Sequence, residues 1–149
     1  MTDDEDERNN DLLIRDLAAT DREKLREYVF GLYAEDDLET NMTDEVFQRN
    51  FNQALEYEES FRIVVFGSNK SMAGYAMLMK QWCGETGGWT LLLDELYVGK
   101  EYRGRGIATG FFEWLYSEYD DVLMFYLETS RNNDAARRLY KRMGFKESN

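Results

Sequence analysis

The sequence predicts an α/β protein built on a mixed sheet, with element order β-α-α-β-β-β-α-β-α. Three observations predict it. Apolar residues at helical spacing alternate with short β-rich runs. A strand, a glycine turn and a helix start follow one another between Leu96 and Ala108. The run Val122-Leu-Met-Phe-Tyr-Leu127 is continuously apolar, as expected for a strand covered on both faces. The 149 residues make one domain's worth of chain. Its core is well supplied, with 43% hydrophobic residues, nine Phe, ten Tyr and three Trp.

The elements follow in order. Residues 1–10 are half acids and read as a solvated tail, leaving 11–149 as one domain. Leu12 to Leu17 is a short apolar run, the first strand. Thr20 and Glu23 have capping-box spacing, and Leu25, Tyr28, Val29 and Leu32 then recur on one helical face. A second helix starts at Thr43, with Val46, Phe47, Phe51, Ala54 and Leu55 on its buried side. Phe61–Phe66 and Met72–Trp82 read as a hairpin around the turn Gly67–Lys70. A glycine-rich loop opens at Cys83. Trp89–Val98 is a long apolar strand interrupted by Asp94 and Glu95. A helix from about Arg105 to Tyr119 buries Ile107, Phe111, Phe112 and Leu115. After the apolar strand comes a helix from Asn133 to Met143, stopped by Gly144.

Composition removes whole classes of chemistry. The chain has no histidine, so Ser-His-Asp triads and histidine metal sites are excluded. It has one cysteine, Cys83, which has no intrachain partner and no basic neighbour to activate it. That usage fits a reducing cytoplasm. No apolar stretch approaches the roughly 18 residues a membrane helix needs, and the acidic start does not look like a secretion signal. Thirty acids against 18 bases give a formal charge of −12, which argues against nucleic-acid binding. The charge is uneven. Residues 1–98 hold 22 acids and 9 bases, whereas residues 99–146 hold 7 acids and 9 bases. The final third suits an anionic ligand, and the first two-thirds suit a cation.

The richest segment is Leu96-Tyr-Val-Gly-Lys-Glu-Tyr-Arg-Gly-Arg-Gly-Ile-Ala108. A glycine turn entering a helix presents main-chain N–H groups where the helix dipole is positive. Gly104 and Gly106 allow close approach of the backbone, and Arg103 and Arg105 add donors suited to phosphate oxygens. This is the physics of a diphosphate site. It is not a P-loop, because the only Lys-Ser pair, Lys70-Ser71, lacks the glycine before it. It is not a dinucleotide fingerprint, because position 109 is threonine and the strand lies too far from the first glycine.

The segment resembles the central motif of the GNAT superfamily of acyl-CoA N-acyltransferases, here Arg103-x-x-Gly106-x-Ala108. Asn133-Asp-Ala-Ala136 followed by Leu139-Tyr-Lys-Arg-Met-Gly-Phe145 is similar to that family's second motif. The resemblance covers residues 89–145 through motifs and residues 12–80 through element order. Lys100 stands where the family often has proline. The sequence also ends four residues after Phe145, short of the closing strands usual in the family. The expectation is a short sheet edge, or one completed by a second subunit as a homodimer.

The resemblance implies a fold whose central strands splay apart, with acetyl-CoA as acyl donor and no metal. It implies an N-acetyltransferase acting by direct attack of a primary amine, on a cationic small molecule or an amino group of a peptide or protein. Main-chain groups at Leu96, Tyr97 and Val98 would bind the pantetheine arm. Those of Arg103, Gly104, Arg105, Gly106, Ile107 and Ala108 would hold the diphosphate. Asn133, with Ala136 beside it, would meet the arm, and Arg137, Arg138, Lys141 or Arg142 could face the phosphates. Tyr140 matches the family's general acid. Asp94 or Glu95 would accept the amine's proton. Strand alternation puts these two on opposite faces unless a bulge intervenes, and Asp94 is marginally preferred. The other function class is a non-catalytic acyl-CoA-binding module.

Overall fold

A computed structural model describes residues 12–35, 41–56, 59–129 and 133–147. The acidic tail read at residues 1–10 lies outside the described residues. The strands are β1 (Leu13–Asp16), β2 (Arg62–Gly67), β3 (Met72–Cys83), β4 (Gly88–Val98) and β5 (Val122–Leu127). The helices are α1 (Arg22–Glu35), α2 (Asp44–Glu56), α3 (Ile107–Glu118) and α4 (Asp134–Arg142). They occur in the order the sequence predicts.

The five strands form one sheet in sequential order β1-β2-β3-β4-β5. All neighbours run antiparallel except β4 and β5, which are parallel. Side-chain alternation divides the core between the two faces. Ile63, Val65, Tyr75 and Met77 face α1 and α2, meeting Leu25, Tyr28, Val29, Leu32, Phe47 and Phe51. Val64, Phe66, Ala76 and Leu78 face the other way, onto Phe111, Phe112 and Leu115 of α3. Phe111 and Phe112 are wholly buried and lie edge-on to each other at 5.6 Å. Each contributes roughly 1.5–3 kcal/mol of apolar burial.

Several local expectations are corrected. A 3-10 turn, Ala19–Asp21, leads into the first helix, and Asp21 secures that turn in place of a Thr20–Glu23 box. Asp21 accepts from the Ala18 N–H at 2.8 Å and from both Arg15 terminal nitrogens at 2.8 Å. A carboxylate serves there because it accepts several donors at once. In α2, Leu55 is exposed while Phe47, Phe51 and Ala54 are buried. The helix after the glycine turn begins at Ile107, because Gly106 sits at φ +78°, outside the right-handed helical region. Finally, β5 is not covered on both faces: Leu123, Met124 and Tyr126 are exposed. As the last strand of the sheet it has one neighbour, and an apolar run cannot itself say how many it has.

Cys83 ends β3 instead of opening the loop, and its thiol is drawn down by hydrogen bonding to Thr86. Among the described residues, no helix is long and apolar enough to cross a membrane, and no cluster of acids and cysteine is arranged to hold a metal ion.

Candidate active site

The site begins with a defect in pairing. Up to Leu93, β4 alternates regularly, and Leu91 and Leu93 face α3. The register with β3 then slips. Leu78 is opposite Leu93, but Met77 is opposite Glu95, so Asp94 is an extra residue bulged out of the ladder. A one-residue bulge exchanges the faces of everything after it. Tyr97, at even spacing from Leu93, would share its face in a regular strand, and the bulge instead puts it on the α1/α2 face. Glu95 goes with it.

On that face Glu95 is met from two other elements. Tyr75 of β3 donates to Glu95 Oε1 at 2.7 Å, and Tyr33 of α1 donates to Oε2 at 2.9 Å. Burial pushes the Glu95 carboxyl up, the two hydroxyls pull it down, and Asp94 pushes it up again; the result lies above the usual value. Its folded value exceeds its unfolded one, so the protonated form favours folding. That contribution is lost as pH rises through the folded value, and an ionised Glu95 opposes stability at neutral pH. A group kept at a cost to folding is a candidate for function. Asp94 is also pushed up, by burial first and then by Glu128.

The second feature is a parting of strands. The β4–β5 ladder ends at Leu93↔Leu127. On its other edge β4 stays paired with β3 through Val98. The main chain of residues 94–98 thus offers an edge toward the gap left by β5. A cavity of about 1270 Å³ opens there, lined by Asp94, Glu95, Leu96, Tyr97, Val98 and Glu128. That volume exceeds the roughly 300–1,000 Å³ of common small-ligand pockets.

The glycine turn closes the far end of the cavity, to which Arg103, Gly104, Gly106, Ile107 and Ala108 contribute. Gly104 and Gly106 have φ of +77° and +78°, and a Cβ built on either would meet nothing within 4 Å. The first helical bond of α3 runs from Gly110 N to Gly106 O, 3.0 Å. The amides of 107–109 have no acceptor within the helix and point out of its N-terminus. Open main chain, positive φ and helix-start amides fit a diphosphate.

The side chain of Arg103 is engaged elsewhere. It donates to Glu35 at 2.8 Å and to the Val98 carbonyl at 2.9 Å, and lies over the Tyr97 ring. Arg105 does not line the cavity; its guanidinium lies 5.7 Å from the Tyr102 ring. From α4, Asn133, Ala136, Tyr140 and Arg142 line the cavity. Asn133 Oδ1 caps α4 by accepting from Ala136 N at 3.1 Å. Tyr140 stands edge-on to Phe112 and Phe145. Arg137 pairs with Glu147 and is not among the lining residues.

Sequence reasoning missed Tyr33, Tyr75 and Glu128. Tyr33 extends the Val29 stripe by four residues, which is a packing signal only. The bulge that brings Glu95 to Tyr33 and Tyr75 has no signature in β4 alone.

A mixed sheet opening between two parallel strands, with a positive-φ glycine turn leading into the following helix, defines the acyltransferase architecture of the GNAT class. The chain belongs to the acetyltransferase (GNAT) family, whose model matches residues 22–145. Solved structures share the fold. One described as a possible acetyltransferase from Clostridium difficile 630 has 20% identity and a TM-score of 0.81, covering 94% of this chain and 93% of that one. An aminoglycoside N-acetyltransferase in complex with CoA has 16% identity and a TM-score of 0.73, covering 93% and 90%. Glucosamine-6-phosphate N-acetyltransferase from Arabidopsis thaliana has 20% identity and a TM-score of 0.67, covering 93% of each chain. No curated protein matches the sequence.

Proposed function

We propose that this protein transfers an acetyl group from acetyl-CoA to a primary amine on a cationic acceptor, by direct attack of the amine. The observation that carries the reading is the bulge at Asp94. It places a half-buried, tyrosine-held carboxylate in the same cavity as the Gly104–Gly106 turn.

Acetyl-CoA, when bound, supplies an acyl group activated as a thioester. The chain's own groups would do the rest. Main-chain amides of residues 103–108 bind the diphosphate, and the free edge at Leu96–Val98 takes the pantetheine arm as an added strand. An N–H of that edge is placed to stabilise charge developing on the carbonyl oxygen. Asp94 and Glu128 give the acceptor end a negative potential that attracts an ammonium. Only a neutral amine attacks, so a proton must leave it. Glu95 accepts that proton directly or through a water, its upward displacement bringing it nearer the working pH. Asp94, more exposed, binds the incoming cation. Tyr140, on the α4 wall, donates to the departing sulfur.

The test is release of free CoA from acetyl-CoA across a panel of mono-, di- and polyamines, aminoglycosides and lysyl peptides. Release with one cationic group of acceptors supports the proposal. Acetyl-CoA binding without release across the panel would instead favour the non-catalytic acyl-CoA-binding module.

A further inference from the structure

We propose that Tyr33 is a positioning residue for the reaction: its hydroxyl, reaching from the last turn of α1, holds the Glu95 carboxylate aimed into the cavity and ready to take a proton. This rests on Glu95 as the proton acceptor.

The geometry is a two-point clamp. Each carboxylate oxygen receives one phenol, Oε1 from Tyr75 at 2.7 Å and Oε2 from Tyr33 at 2.9 Å. One donor would leave the carboxylate free to rotate about its last bond; two on opposite oxygens fix its plane. The clamps differ in place. Tyr75 is wholly buried in the sheet, whereas Tyr33 lines the cavity itself. Tyr33 is therefore the donor that an acceptor molecule would touch.

The groups facing Glu95 are Tyr33 from α1, Tyr75 from β3 and its neighbour Asp94 on β4. Tyr97 packs beside Tyr75, and Glu128 acts on Asp94. The nearby cations are committed: Arg103 and Lys100 both pair with Glu35. Among the described residues, the two phenols are thus what favours the ionised carboxylate, against burial and Asp94. Burial raises both phenols, so they remain donors throughout the neutral range.

The experiment is the pH dependence of kcat/KM for Tyr33→Phe and Glu95→Gln with the best amine of the panel. Tyr33→Phe removes one oxygen and keeps the ring. Its acid limb is expected to move to higher pH by about half a unit or more, with the plateau largely kept. Below the limb that is a loss of roughly three-fold or more. Glu95→Gln is expected to lose most of the rate and the limb with it. A Tyr33→Phe rate reduced equally at every pH, or an unmoved limb while Glu95→Gln is inactive, overturns the role of Tyr33 and leaves the proton acceptor standing. A Glu95→Gln enzyme with the parent rate and profile overturns both. Circular dichroism at each pH checks folding. Should Tyr33→Phe unfold, 3-fluorotyrosine at position 33, a stronger donor of nearly the same shape, must move the limb to lower pH; an unmoved limb there also rejects the proposal.

Discussion

Tyr140 faces the cavity from α4 and touches Phe112 and Phe145 with its ring, so packing and chemistry separate at its hydroxyl. Tyr140→Phe keeps both ring contacts. If the hydroxyl donates to the leaving sulfur, kcat falls about 10²-fold or more while the acetyl-CoA dissociation constant changes less than three-fold. Steady-state kinetics beside calorimetry checks this, and equal losses in both would remove the acid role. The residues legible in the sequence were those whose chemistry is local. Gly104, Gly106 and Tyr140 belong to short motifs, and all three line the cavity. Tyr33 and Tyr75 were not legible, because they reach Glu95 across 62 and 20 positions of chain. Nor was the engagement of Arg103 by Glu35, a pairing of distant elements.

At the scale of elements, the turn before α3 is the part most exposed to a single change. Gly106 has φ of +78°. A β-branched residue there is strained by about 1–3 kcal/mol, and its side chain would occupy the space a diphosphate needs. Gly106→Val is expected to remain folded, with Tm lowered by several degrees, and to lose measurable acetyl-CoA binding by calorimetry. Retained binding would contradict the role given to the turn. Arg103→Ala, whose side chain is held by Glu35, is expected to bind more nearly as the parent does. Element order was readable because hydrophobic period and glycine stops are local signals. The bulge in β4 and the exposed outer face of β5 were not, because each is a relation between strands.

The whole molecule carries its charge in two unlike parts, a formal −12 in total with the basic excess confined to residues 99–146. An anionic coenzyme and a cationic acceptor would be drawn to different ends of one cavity. For a polyamine, KM at saturating acetyl-CoA is expected to rise several-fold between low salt and about 0.5 M salt, as screening shortens the reach of surface charge. An aromatic amine that is uncharged at neutral pH should change much less. Equal salt dependence for both would remove electrostatic attraction from the account of acceptor choice.

The slip at Asp94 makes strand length a stricter requirement than strand composition. Replacing Leu92 by another aliphatic alters packing alone, but adding a position between Trp89 and Glu95 without a second bulge inverts parity downstream. Glu95 and Tyr97 would then turn toward α3, and the α1/α2 face would be presented with Leu96 instead. Homologous chains that keep this chemistry should accordingly vary in the apolar letters of this strand while gaining no position between Trp89 and Glu95.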